Sequence, residues 1–350
     1  MAKDQKTISE KIMSVKSGRD AHAGDIVDAE VDYVMVNDVT APLAFKEFEA
    51  LECEPHRKKM VLIPDHYVPN KDIASAQQAK EMREFAKRWK IDNYFEVGRG
   101  GVCHQVMIDH GFAAPGRLIV GADSHTCTYG ALNAFSTGVG SSEAAAVFAT
   151  GRLWFKVPES IRVLVKGRFK KFVSGKDLIL KLITDIGVDG ANYKTLEFSG
   201  TGIAGITVSE RMTISNMAIE AGGKAGIFPC DSSTVAFMKS VEAGSWSAVT
   251  ADGEARYCQE LEYDLSKLEP FVSLPHLPSN GRPVSEVDVQ IDQAFLGSCT
   301  NGRIEDLRLA VSILKGHQVH PDVRLIVVPA STKVYQQALD EGLITEFVKA

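Results

Sequence analysis

Leu296-Gly297-Ser298-Cys299-Thr300-Asn301-Gly302-Arg303 lies between an apolar run, 294–296, and a helical pattern of Leu307, Ala310, Val311 and Leu314. That order predicts a tight strand-to-helix turn, with Cys299 at the carboxyl end of a buried strand. Open α/β sheets place their ligands at such ends. Backbone N–H groups at a helix start also favour a thiolate. The plainer alternative is a small cysteine packed inside a turn.

Upstream the same plan recurs. Apolar residues 33–36 run into Asn37-Asp38-Val39-Thr40-Ala41-Pro42, and the buried strand 60–63 is broken by Pro64 just before Asp65-His66. A short strand at 94–97 leads through Gly98-Arg99-Gly100-Gly101 to Val102-Cys103-His104-Gln105. The run 118–120 delivers Asp123-Ser124-His125, and Gly138-Val139-Gly140-Ser141 opens a helix. Repeated strand, polar turn and helix predict parallel α/β architecture. Alternating strands are expected at 24–32 and 158–165, and further strands at 225–228 and 324–328.

Capping boxes at Thr7–Glu10 and Thr207–Glu210 mark helix starts. The second opens a helix through Ala221 that puts Asn216 and Glu220 on one face. Residues 72–89 read as a helix with Ile73, Ala76, Ala79, Met82, Phe85 and Ala86 on one side, and 177–186 as another. Residues 240–285 read as a connecting segment. The expected domains are 1–157, 158–284 and the start of a third at 285–350, which looks unfinished because the sequence ends within a helical pattern.

The 350 residues are 45% hydrophobic and 24% charged, the balance of a globular enzyme. A formal net charge of −6 argues against nucleic acid and anionic membrane as partners. No apolar run is long enough to span a bilayer, and the polar start Met1–Lys6 is unlike a secretory leader. The six cysteines are scattered without a C-x-x-C pair, which suits free thiols in a reducing cytoplasm.

Several turns carry groups fit for proton transfer, each with a plainer alternative. Asp65 orients and charges a neighbouring His66, or the two form an ordinary surface turn. His104 is a base, an acid or a satisfied core histidine. Asp123-Ser124-His125 lines a pocket or makes a polar turn. It is not a hydrolase triad, because consecutive residues do not reach that geometry and no G-x-S-x-G elbow is present. Asn216 and Glu220 look into a cleft or into solvent. Gly138-x-Gly140 lacks the rest of a dinucleotide fingerprint and reads as tight packing.

Together these stretches, with Arg211-Met-Thr-Ile-Ser-Asn-Met-Ala-Ile-Glu220 and Gly297-Ser-Cys-Thr-Asn301, resemble the aconitase superfamily of iron–sulfur hydro-lyases. Within it the chain is most similar to the large subunits of the isopropylmalate dehydratase branch, and next to those of the homoaconitase branch. The resemblance implies three α/β domains around a central cleft, the third incomplete here, and a separate small subunit carrying a swivelling fourth domain. It implies isomerisation of a small hydroxy di- or tricarboxylate, 2-isopropylmalate to 3-isopropylmalate in leucine biosynthesis, by dehydration and rehydration. The alternatives are the homoaconitate reaction and, from another class, a non-catalytic or RNA-binding apo relative.

The implied cofactor is a [4Fe-4S] cluster. Cys299 matches its first ligand, and the other two are expected in a C-x-x-C pair beyond Ala350, in keeping with a C-terminally truncated sequence. An iron without a protein ligand would act as a Lewis acid. The resemblance implies the catalytic pairings Asp65–His66, His104–Asp123 and His125–Glu220. It places Asn37, Ser124 and Asn216 at substrate-binding positions, and puts the family's serine base on the small subunit.

Overall fold

The computed structural model describes residues 5–350, so the first four residues of the Met1–Lys6 start lie outside it. Two four-stranded parallel sheets dominate. The first runs in the order Met60–Ile63, Tyr33–Asn37, Leu118–Gly121, Phe135–Gly138. Its strands read as continuous apolar runs because both faces are covered. Val34, Val36, Leu62 and Val120 enter one core, while Met35, Val61, Ile63 and Ile119 enter another on the opposite face. That split is the two-residue period of a strand.

The second sheet runs Gln259–Asp264, Ser160–Lys166, Thr195–Ser199, Ala225–Ile227, again all parallel. Its core gathers Ile161, Val163, Leu196 and Phe198 with the Gly175–Ile186 helix. That helix is capped by Ser174, and the Ile8–Ser17 and Val208–Asn216 helices carry the two expected capping boxes. A third parallel pair, Gln293–Leu296 with Arg324–Val327, packs against the Ile304–Leu314 and Thr332–Asp340 helices around Leu307, Val334 and Ala338. No described helix is long and apolar enough to cross a membrane.

Five local expectations are corrected. Gln259–Asp264 is an edge strand rather than part of a connector. Its three acidic residues hid it, and they are tolerated because most of the strand faces solvent. Residues 94–97 make only a single bridge, Leu62 to Tyr94. Ile73 opens the Ile73–Trp89 helix 90% exposed and Ala76 is exposed as well, so the apolar buried stripe begins six residues later, at Ala79. The helix after Thr207 tightens into a 3₁₀ turn at Met217–Ala221, so Asn216 and Glu220 do not share one regular helical face. The Gln293–Leu296 strand is not buried, since Phe295 is 54% exposed beside its single partner strand.

The first sheet directs its carboxyl edge at one cleft, where Asn37, Asp65-His66 and the 123–125 turn emerge. Gly138 closes that edge. A Cβ there would lie 2.7 Å from the Asp123 carbonyl oxygen and 2.9 Å from the Ser124 Cα, so the packing read from Gly138-x-Gly140 is packing against the 123–124 turn. Gly138→Ala is expected to cost about 1–3 kcal/mol by overpacking against backbone. A denaturant-unfolding midpoint equal to wild type would contradict that.

Candidate active site

Asp123 is the node of the cleft. It follows the Leu118–Gly121 strand and caps the Ser124–Leu132 3₁₀ helix by accepting the His125 backbone N–H at 2.9 Å. The same Oδ1 lies 2.9 Å from His104 Nε2. Oδ2 accepts from Asn37 Nδ2 at 3.2 Å and lies 3.5 Å from His66 Nε2. Burial works against its charge, but the His104 bond, the His125 N–H and the His66 charge hold the carboxyl well below the usual range.

The bond from His104 to Asp123 fixes a tautomer. His104 is 2% exposed, and its Nδ1 lies 3.0 Å from the Tyr129 hydroxyl. Burial pushes the Tyr129 phenol well above its ordinary value, so it stays protonated and donates to Nδ1. Nε2 therefore carries the hydrogen that points at Asp123. Sequence reasoning missed Tyr129 because it sits in the small-residue stretch Cys127-Thr128-Tyr129-Gly130, with no charge beside it.

His66 lies at the opening of the cleft. Its Nδ1 is 2.7 Å from Asp65 Oδ1, while Asp65 Oδ2 accepts the Cys103 backbone N–H at 2.6 Å. Asp38, also missed, is fully buried and accepts the backbone N–H groups of Asp65, His66 and Tyr67 at 3.0, 2.9 and 2.8 Å. It fixes the turn that presents the pair. Its signal was an acid directly after a buried strand, beside the Asn37 that was singled out.

The Asp65 bond raises His66 against a partial opposing effect of burial, and the charges of Asp65, Asp123 and Asp38 add to it, taking the imidazole to about 9. A raised folded-state value means the stabilisation from this pair is fully present below the ordinary value of 6.5 and is lost as pH rises to about 9. The His66 ring is expected to titrate near 9 by NMR and to move back toward 6.5 in Asp65→Asn. A wild-type midpoint near 6.5 would contradict this.

A second chain of hydrogen bonds starts at Ser124. Its Oγ is 3.0 Å from His125 Nδ1, and His125 Nε2 is 3.1 Å from Glu220 Oε1. The His125 contact lowers the Glu220 carboxyl in spite of burial. Asp123 takes no part in this chain through the His125 ring, so residues 123–125 do not form a consecutive triad.

The other two amides expected at substrate are enclosed. Asn37 is 1% exposed, and its Oδ1 takes the Val39 and Thr40 N–H groups and the Thr40 hydroxyl. Its geometry orients Asp123 rather than leaving an open contact. Asn216 is fully buried, with Nδ2 2.8 Å from Thr128 Oγ1 and 3.4 Å from the Cys299 carbonyl oxygen. Of the three, only Ser124 is exposed.

Asn216 also joins the His125 side of the cleft to Cys299, whose Sγ is 3.6 Å from Asn216 Oδ1. Arg303 caps the following helix four residues later, so Cys299 is not itself at a helix start. Burial raises the Cys299 thiol against the smaller opposing contacts of Ser298 and Asn216, the reverse of the sequence expectation. The turn is tied to its surroundings by Thr213, which donates to the Thr300 carbonyl oxygen at 2.6 Å, and by Lys176, whose Nζ lies 3.0 Å from Thr300 Oγ1 and 3.3 Å from Asn301 Oδ1.

Among the described residues, Cys299 alone presents a thiol suited to an iron–sulfur cluster. Cys103 and Cys127 are buried, and desolvation pushes Cys103 well above its ordinary value and Cys127 up to about 12. Cys127 Sγ is turned onto the Asn216 carbonyl oxygen at 3.1 Å. Two mixed groups, Cys103-His104-Asp123 and Asp38-Asp65-His66, hold their donor atoms within 4.8 Å of one another. However, both His104 nitrogens are engaged, and Asp38 is filled by backbone N–H groups. Around Cys299 the setting suits an anionic assembly. Arg303 is buried on neutral partners, and its Nε has none. These residues thus fit one corner of a cluster and do not make its full three-thiolate set.

The sequence profile described as the aconitase family (aconitate hydratase) matches residues 10–288 and 281–350. Two similar proteins are the 3-isopropylmalate dehydratase large subunits of Thermodesulfovibrio yellowstonii and Moorella thermoacetica. Each is 51% identical over 348 residues, covering 98% of this chain and 83% of the relative. A crystal structure of the holo-form of Thermococcus kodakaraensis aconitase X aligns with a TM-score of 0.56 at 12% identity, covering 97% of this chain and 81% of that one. At that identity the likeness speaks for the fold.

Proposed function

The chain belongs to the aconitase family, and on that premise we propose that it is the large subunit of an isopropylmalate-type hydro-lyase. It would interconvert 2-isopropylmalate and 3-isopropylmalate in leucine biosynthesis, with a small subunit that completes the site and carries the swivelling domain. The observation that carries this reading is the node at Asp123. One carboxylate gathers His104 and His66, while the His125 backbone carbonyl reaches Cys299 through the Thr128 hydroxyl and Asn216.

Dehydration removes a hydroxyl and a proton from neighbouring carbons, and rehydration returns them in the other order. His66, with an imidazole near 9, is an imidazolium at neutral pH and half-exposed in the cleft. It would give its Nε2 proton, held beside Asp123 Oδ2, to the departing hydroxyl and take one back from water, with Asp65 holding Nδ1, while the base of the small subunit would take the proton from the neighbouring carbon and return it. His104 is held by Tyr129 and Asp123 and would keep the Asp123 charge fixed beside His66. Ser124, the exposed hydroxyl, would meet a substrate carboxylate, with His125 and Glu220 behind it setting the direction of its hydrogen.

Cys299 would hold one corner of the [4Fe-4S] cluster, whose unligated iron supplies a Lewis acid for the substrate hydroxyl when bound. The other thiolates would come from outside these 350 residues. All six cysteines of the chain are free, which suits a reducing, cytoplasmic setting.

The test is the ratio of kcat/KM for 2-isopropylmalate and homoaconitate, measured on the full-length chain with its small subunit. A ratio well above one supports this reading. A ratio well below one assigns the homoaconitate reaction instead, and no turnover of either substrate by a cluster-loaded complex rejects both.

A further inference from the structure

The Cys299 turn is flanked by two sequestered cations whose side-chain partners are neutral. Arg303 lies beneath it, 5% exposed, bonded to the carbonyl oxygens of Ser209 and Thr300 and the hydroxyl of Thr213. Lys176 comes from the start of the Gly175–Ile186 helix, more than 120 residues away in sequence. It spends its ammonium on a hydroxyl and an amide oxygen of the turn, Thr300 Oγ1 at 3.0 Å and Asn301 Oδ1 at 3.3 Å. The nearby Asp306 is committed elsewhere, to the Arg303 backbone N–H at 3.0 Å and Asn301 Nδ2 at 3.1 Å.

Neither cation has a carboxylate in ion-pair contact, although the Asp306 charge acts on both from further off, and such withdrawal from water is costly unless a further anion shares the site. A cubane with a 2+ core and three thiolates has a net charge of −1, and −2 when reduced by one electron. The cationic surroundings match that charge. The two cations differ in what they do for the fold. Arg303 is wedged between the turn and the Val208–Asn216 helix, so its loss would disturb both. Lys176 adds to a turn that Thr213, Asn216 and Arg303 already hold.

We propose that Lys176 is the positioning residue of the Cys299 corner. Its ammonium fixes Thr300 and Asn301 against the Gly175–Ile186 helix and places a positive charge beside the anionic assembly built on Cys299. The proposal rests on the reading of Cys299 as a cluster ligand and assigns Lys176 no contact with substrate. A positive charge here stabilises the reduced cluster more than the oxidised one, and so raises the reduction potential. Partners that orient a ligand from outside the coordination shell also govern retention, by about 10- to 100-fold when they are removed.

The experiment compares the full-length, anaerobically reconstituted chain with Lys176→Met and Lys176→Arg. It reads the reduction potential of the cluster by EPR-monitored titration and the rate of iron release to a chelator. Lys176→Met is expected to have a lower potential and to release iron about tenfold faster or more, with Lys176→Arg close to wild type in both. Loss of the cluster in Lys176→Met together with its retention in Lys176→Arg also supports the proposal. Wild-type potential and release in Lys176→Met would overturn it, as would Lys176→Arg failing as badly as Lys176→Met, since the charge would then not be what acts. If the wild-type chain takes up no cluster, the reading of Cys299 falls first and this proposal with it.

Discussion

Asp123→Asn is expected to lower kcat of the two-subunit enzyme by about 10³-fold while leaving cluster content close to wild type. The amide is the same size as the carboxylate, so the packing against Gly138 survives. What changes is the charge and the direction of one hydrogen. Asp123 accepts from His104, Asn37 and the His125 N–H, and it faces His66. An asparagine must turn its NH2 toward donors on one side, either His104 Nε2–H or Asn37 Nδ2. Tyr129 opposes the rescue in which His104 changes tautomer, because its hydroxyl already occupies Nδ1. His66 also loses one of the charges that raise it. Activity within about threefold of wild type would remove Asp123 from the centre of the site.

The second large effect concerns stability. Arg211 is fully buried, and every nitrogen of its guanidinium is engaged. Nε donates to the Ile206 carbonyl oxygen at 3.1 Å and Nη2 to that of Ile203 at 3.0 Å. Nη1 and Nη2 meet the two Asp231 oxygens at 2.9 and 2.5 Å. Burial works against the Asp231 charge, but Arg211 and the Thr234 N–H hold the carboxyl below its ordinary value. Asp231→Ala leaves the arginine charged and unpaired in the interior, and should cost about 3–5 kcal/mol.

Arg211→Met should cost less, because a methionine fills the space and Asp231, at the surface end of the pair, regains water. The order of the two denaturant midpoints checks the argument. An equal or larger loss in Arg211→Met would show that the pair matters through packing alone. The Val208–Asn216 helix carries Arg211 at one end and Asn216 at the other, so Asp231→Ala should also loosen the support of Cys299.

Much of this was legible because the strands are short, apolar and followed by chemistry. The runs at 33–36, 60–63 and 118–120 gave their strands and the turns beyond them, since strands buried on both faces leave little ambiguity. The three His–carboxylate pairings come from resemblance, and in the structure each pair lies within hydrogen-bond distance. The failures have local causes. Gln259–Asp264 pairs through its backbone and buries only Tyr263 fully, with acidic residues on either side of it, so hydrophobic pattern did not mark it. The strand before Cys299 looked buried because Ala294, Phe295 and Leu296 are apolar, but a two-stranded sheet leaves Phe295 open.

The supporting residues of the site were the hardest to see. Asp38, Tyr129 and Lys176 act on a turn or a ring many residues away, and nothing in spacing connects Lys176 to Thr300. Asn37 and Asn216, which the resemblance puts at substrate, are enclosed and bonded to Asp123 and Cys299. Sequence marks a polar residue after a strand, whereas only the packed structure tells which of its atoms are already used.

The most direct test of the isomerase site is formation of 3-isopropylmalate from 2-isopropylmalate by the full-length, cluster-loaded chain with its small subunit, run beside Asp123→Asn of equal iron and sulfide content. The expected result is product in both directions of the reaction for wild type, and a loss of about 10³-fold in the variant. A wild-type complex that holds its full cluster and makes no 3-isopropylmalate would contradict it.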